Sequence, residues 1–147
     1  MVVLLVSSAL MVVGAQQLLP MVDVEPKSRD DKRVWRVYVA NGLSSEILFL
    51  HCKSKDTDIG ERNLDLGAQI QWKFQVNFWG TTLYWCFMRK GSDSVSLDVF
   101  WVERKTSWLR PRCAPQTMSC IWIAKDDGIY IRNLSENVDE VIHKWNE

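Results

Sequence analysis

Two histidines, a small group of carboxylates and four cysteines are the residues with which this chain could do chemistry. An acid–base pair of the ribonuclease kind needs two titrating groups facing each other across a substrate. His51 stands beside Cys52 in an apolar run, and His143 stands in an acidic terminal stretch, so nothing in their settings brings them together. A strand-packing role for His51 is the plainer reading, and a hydrolase using His51 is the catalytic alternative. Asp56, Asp58 and Glu61 could form the carboxylate pair of a glycoside hydrolase, but no apolar pocket is implied near them. Asp56 and Asp58 also suggest half of a calcium loop. An EF-hand loop counted from Asp56 needs Glu at its twelfth position, and that place holds Gly67. The plainer reading is an Asx-type turn. No G-x-S-x-G, H-E-x-x-H or P-loop is present. The sequence therefore implies no catalytic set, no metal and no cofactor.

The cysteines carry covalent structure instead. Residues 1–15 hold an apolar run from Val2 to Val13, followed by Gly14 and Ala15. Val13 and Ala15 suit signal peptidase cleavage after Ala15. Gln16, Gln17 and Pro20 end the run before it reaches the ~20 residues of a spanning helix. The reading is a secreted protein with no membrane span after cleavage. Cys52, Cys86, Cys113 and Cys120 then form an even set in an oxidising compartment, so two disulfides are expected. No C-x2-C spacing supports zinc. Of the three pairings, Cys52–Cys120 with Cys86–Cys113 is preferred, because it ties an early strand to a late one. Cys52–Cys86 with Cys113–Cys120 is the runner-up.

The mature chain must fold around these bonds. It is long enough for one domain with a single core. Lys+Arg and Asp+Glu are 18 each, and this zero balance argues against nucleic acid as a partner. Residues 16–33 read as a linker, with Pro20, Pro26 and a charge cluster from Arg29 to Arg33. Val34 to Asn41 alternates as a strand, with Trp35, Val37 and Val39 on one face, and Asn41-Gly42 signals a turn. Ile47 to Cys52 is a second strand, followed by a polar loop from Lys53 to Asp58. Ile70 to Val76 alternates without a fault, Asn77 to Thr82 turns the chain, and Leu83 to Met88 is apolar on both faces. This stretch reads as a central hairpin, with Trp72 and Trp85 facing each other across sheets. Ser96 to Val102 alternates with Leu97, Val99 and Trp101 inward. Cys120 to Ala124 and Ile129 to Arg132 flank an Asp126-Asp127-Gly128 turn. The count is about eight strands in an all-β, antiparallel sandwich. Val138, Val141, Ile142 and Trp145 recur at spacings of three and four, so a short C-terminal helix is expected within an acidic tail over 134–147.

Two surface features remain. Glu103 to Arg112 carries Arg104, Lys105, Arg110 and Arg112 against one Glu, with Trp108 among them and no apolar face for it to join. An aromatic anchor among arginines has the composition of an interaction hot spot. This loop, together with Asn41–Glu46, is the predicted partner-binding surface. Asn133-Leu134-Ser135 is a glycosylation sequon, meaningful because the chain reads as secreted.

His51-Cys52-Lys53-Ser54, Asp58-Ile59-Gly60, Trp72-Lys73-Phe74, Thr82 to Phe87, and Cys120-Ile121-Trp122 with Asp127 to Tyr130 occur in order. As an ordered series they resemble the plant self-incompatibility S-protein homologue family, over about Val34 to Asn133. The resemblance implies a β-sandwich with two disulfides acting as an extracellular protein ligand for a cell-surface receptor, with no catalytic residues to carry over. The reading is of a monomeric, non-enzymatic signal in plant cell–cell recognition. The rivals are a secreted hydrolase or antimicrobial factor using His51, and a structural cell-wall component.

Overall fold

A computed structural model describes residues 34–104, 107–113 and 117–147. The expected leader and linker, and Lys105, lie outside the described residues. Among these residues nine strands run in the order β1 Val34–Asn41, β2 Leu48–Lys53, β3 Asp58–Leu64, β4 Gln69–Gln75, β5 Leu83–Lys90, β6 Asp93–Trp101, β7 Ser119–Lys125, β8 Gly128–Asn133 and β9 Val138–Lys144. One helical turn, α1 Leu109–Arg112, lies between β6 and β7. The strands form a five-stranded sheet, β4-β1-β7-β8-β9, and a four-stranded sheet, β3-β2-β5-β6. The fold is all-β, as the alternating runs require. Every neighbouring pair is antiparallel except β1 and β7, which run parallel.

Period two explains the packing. Val37 and Val39 of β1 point into the inter-sheet core, where they meet Leu48, Leu50, Cys86, Met88 and Trp122, all fully buried. Tyr38 and Ala40 take the opposite face and join Ile121, Ile123 and Leu134 in a second apolar cluster. Tyr38 is thus buried, where simple alternation with Arg36 predicts a wet face. The fully buried Trp122 indole donates to the Val99 carbonyl at 2.9 Å, which ties the two sheets together. The acceptor spares this ring the cost of a buried, unpaired N–H.

The central hairpin is corrected. β4 belongs to the five-stranded sheet and β5 to the four-stranded one, so residues 77–82 carry the chain across the sandwich as an arch. Trp72 faces Tyr84, ring centroids 5.6 Å apart, and not Trp85. Tyr84, Cys86 and Met88 share the inward face of β5, which leaves Trp85 and Phe87 half-buried on the other. A register slip between Tyr84 and Trp85 sets Tyr84 opposite Phe100 and Trp85 opposite Asp98. This bulge turns Phe100 into the core and leaves Trp101 half-buried, where uninterrupted alternation predicts Trp101 inward.

The preferred disulfide pairing is also corrected. Cys52 bonds Cys86, and Cys113 bonds Cys120. Cys52 and Cys86 are directly opposed on adjacent antiparallel strands, Cα atoms 4.0 Å apart. Facing residues on such strands lie within disulfide reach of each other. Each bond therefore staples neighbours, and neither ties an early strand to a late one.

β3 follows the expected polar loop, over residues that the sequence reading gave no strand. It is an edge strand, mostly exposed, so its sequence shows no alternation to read. The expected C-terminal helix is replaced by β9, which pairs with β8 and brings the acidic tail into the five-stranded sheet. A register slip between Ile129 and Tyr130 adds one residue to β9 and shifts its phase. That insertion turns a period of two into spacings of three and four. Asp139 on β9 accepts from Arg132 of β8 at 2.8 Å and from Lys125 of β7 at 2.9 Å, so one carboxylate clips three strands.

Candidate functional site

The 77–82 arch is built to be stiff. The Asn77 side chain accepts from the Thr81 backbone N–H and donates to the Thr81 hydroxyl, both at 2.8 Å. The Asn77 N–H donates to the Thr82 hydroxyl, and the Gly80 N–H to the Asn77 carbonyl. Gly80 has φ +68°, a conformation that glycine adopts without a Cβ clash. The arch presents Phe78 and Trp79 in edge contact at 5.4 Å. They are 87% and 75% exposed, the most exposed large apolar side chains among the described residues.

Across from the arch lies the basic loop. Glu103 is its organiser. One carboxylate oxygen accepts the N–H groups of Trp108 at 2.7 Å and Leu109 at 2.8 Å, and the other accepts that of Arg110 at 3.0 Å. These are the free donors at the start of α1, and a carboxylate there both caps them and meets the positive end of the peptide dipoles. Partial burial raises the Glu103 carboxyl, but the three N–H donors and nearby Arg110 outweigh it and hold the group below its ordinary range. Cys113–Cys120 then locks the end of α1 to β7.

Trp108 does find an apolar partner. Its ring stacks on Trp101 and packs against the main core. Arg112 lies over the Trp108 ring at 4.1 Å, donates to the Trp108 carbonyl at 2.7 Å and pairs with Glu140 at 2.6 Å. Both residues therefore hold α1 against the sandwich. Arg110 and Arg104 are exposed, and Arg104 donates to the Trp79 carbonyl at 3.0 Å, joining the loop to the arch. Between arch and loop opens a cleft of about 600 Å³, lined chiefly by Trp35, Val76, Phe100, Trp101, Val102 and Leu109. Of the partner-binding residues expected from sequence, Arg110 lines this cleft and Arg104 stands beside the arch; Phe78 and Trp79 were not among them. Their signal was two adjacent large aromatics inside a turn, where neither can reach a core.

The other expected sites lie elsewhere. His51 and His143 are in different sheets. His51 bonds Asp58 through Nε2 at 2.7 Å, and that bond, with the Gly60 N–H, holds the Asp58 carboxyl below its ordinary range. Its cross-strand neighbours are Glu61 and Phe87. Among the described residues no three of His, Cys, Asp and Glu gather as metal ligands. In the Asn41–Glu46 loop, Asn41 is fully buried and its amide bonds the Glu46 and Leu64 carbonyls, a structural role. Asn133 is 6% exposed, and its side-chain oxygen accepts from the N–H groups of Ser135 and Glu136.

Comparison with known proteins places this architecture. A solved structure described as "SPH (Self-Incompatibility Protein Homologue) proteins, a widespread family of small, highly stable, secreted proteins from plants" shares the fold. Its TM-score is 0.58 at 20% identity, covering 78% of this chain and 96% of that one. S-protein homolog 1 and S-protein homolog 74 of Arabidopsis thaliana are each 40% identical over 112 residues, spanning 76% of this chain and 71% of theirs. The family described as plant self-incompatibility protein S1 matches residues 36–145, from within β1 to just past β9. With a two-sheet β fold, two disulfides and that match along nearly every strand, the chain belongs to the plant self-incompatibility protein S1 family.

Proposed function

We propose that the protein is a secreted, non-catalytic ligand in plant cell–cell recognition, read by a cell-surface receptor protein at the Phe78–Trp79 end of the sandwich. The observation that carries this is the exposure of two adjacent aromatics on a loop braced by its own hydrogen bonds. Rings held rigidly in water lose little entropy on docking and make the strongest interface anchors. Secretion is supported by the signal-like leader and by four cysteines that are all disulfide-bonded. The predicted surface shifts accordingly. Arg104 and Arg110 remain in it, while Trp108 and Arg112 support it from beneath.

The test is saturable binding of tagged, oxidised protein to intact plant cells. Replacing Phe78 and Trp79 together by Ala should weaken binding by about tenfold or more without changing the melting temperature. Undiminished binding by a folded double variant overturns the reading. The His51–Asp58 pair favours the hydrolase alternative. Nuclease or glycosidase activity that vanishes in His51→Ala would establish that alternative.

A further inference from the structure

We propose that the cleft seats an extended, acidic segment of the receptor's ectodomain, with an aromatic or aliphatic side chain inserted between the arch and α1. This rests on the ligand reading above and names the chemistry of its partner. A volume of about 600 Å³ falls in the range of pockets that bury a ligand group almost completely. Its walls are apolar, from Val76, Phe100, Trp101, Val102 and Leu109. The apolar surface does not stop at the mouth, because Phe78 lines the cleft and Trp79 continues outward from it. A small carboxylate seated in the cleft would leave the Trp79 ring wet, whereas a polypeptide covers both rings.

Charge selects the segment. Glu103 is the acidic group of the lining, and its two oxygens are engaged by three backbone N–H groups. Arg110 also lines the cleft and Arg104 stands beside the arch. Both are exposed, and among the described residues neither forms an ion pair. Closing a neutral or basic segment over Arg110 would strip its water without replacing it. A carboxylate replaces that water with a bidentate, charge-assisted bond. Topology favours an extended backbone. β4 and β6 are the outermost strands of their sheets, and the cleft opens where both end, at Val76 and at Phe100 to Glu103. Unpaired strand edges offer main-chain hydrogen bonds to an added strand.

The experiment selects a random linear peptide library on the oxidised protein and measures affinities of synthetic copies of the enriched sequences. Enrichment of Asp or Glu within a few residues of Trp, Phe or Leu is expected. Affinity should fall by about tenfold or more in Arg104→Glu/Arg110→Glu and in Val76→Arg. If Val76→Arg does not fold, the charge-reversed pair decides alone, because both its side chains are exposed. Enrichment of basic or purely apolar peptides overturns the proposal, as does binding unchanged by the charge reversal. So does a medium-chain fatty carboxylate that outcompetes every selected peptide, which would make the occupant a small molecule. Loss of cell binding in Phe78→Ala/Trp79→Ala without acidic peptide selection sinks this inference and leaves the ligand reading standing. Acidic peptide binding with undiminished cell binding by that variant overturns the ligand reading, and with it the receptor as the source of the segment, while the cleft's preference for acidic peptides stands.

Discussion

The indoles of Trp101 and Trp108 stack with centroids 5.8 Å apart and planes inclined by 23°. Arg112 adds its guanidinium to the Trp108 ring. A residue whose composition suggests a free recognition anchor thus fixes α1 to the end of β6. Trp108→Ala should cost about 2 kcal/mol of stability through lost burial and stacking, read as a lower urea midpoint. Phe78→Ala and Trp79→Ala, by contrast, should leave the midpoint within error. An unchanged midpoint in Trp108→Ala would contradict the supporting role.

Acid should release α1. The Glu103 carboxyl is lowered in the folded state, so its contribution is present above the unfolded glutamate range. It is lost as the pH falls through the lowered folded value, below the ordinary glutamate range. Tryptophan fluorescence should report a local transition in that window, from Trp101 and Trp108. Glu103→Gln should abolish that transition and leave the three N–H donors weakly capped at every pH. Persistence of the transition in Glu103→Gln would assign it to other carboxylates, with Asp139 the first to try.

Non-reducing peptide mapping should recover Cys52 joined to Cys86 and Cys113 joined to Cys120. Sequence separations of 34 and 7 predict unequal effects. On the chain-entropy model, removing the first costs about 4 kcal/mol and removing the second about 2. The second should chiefly loosen α1, seen as faster amide exchange there.

Asn133 should carry no glycan in the folded protein, because its side chain is buried and caps the turn between β8 and β9. Intact mass after plant expression checks this. Asn133→Ala should cost about 1–2 kcal/mol by stranding two backbone donors, with no change in glycan mass. A glycan-sized mass loss in that variant would refute the assignment.

Local pattern carried some elements fully and others not at all. The alternation of Val34 to Asn41, ended by Asn41-Gly42, marks β1 to the residue. Asp126-Asp127 joins β7 and β8 as a tight turn should. Asn77 to Thr82 looked like a hairpin because a hairpin and an arch need the same local turn, and only distant pairing partners separate them. The cysteine pairing depends on the register of β2 against β5, which is a tertiary fact. The slip at Ile129/Tyr130 disguised β9, since a bulge is invisible until its partner strand is known. At the site, the arginines were legible as composition. The cleft was not, because β1, the arch, β6 and α1 each supply part of its wall.

Parallel pairing of β1 with β7 sets Arg36 beside Ser119. The first strand must therefore wait, with one edge unsatisfied, until most of the polypeptide has been synthesised. Such long-range closure folds slowly. In a secreted protein it places completion of the larger sheet after the C-terminal third has entered the lumen, where a chaperone able to shield an unpaired β1 would raise the yield.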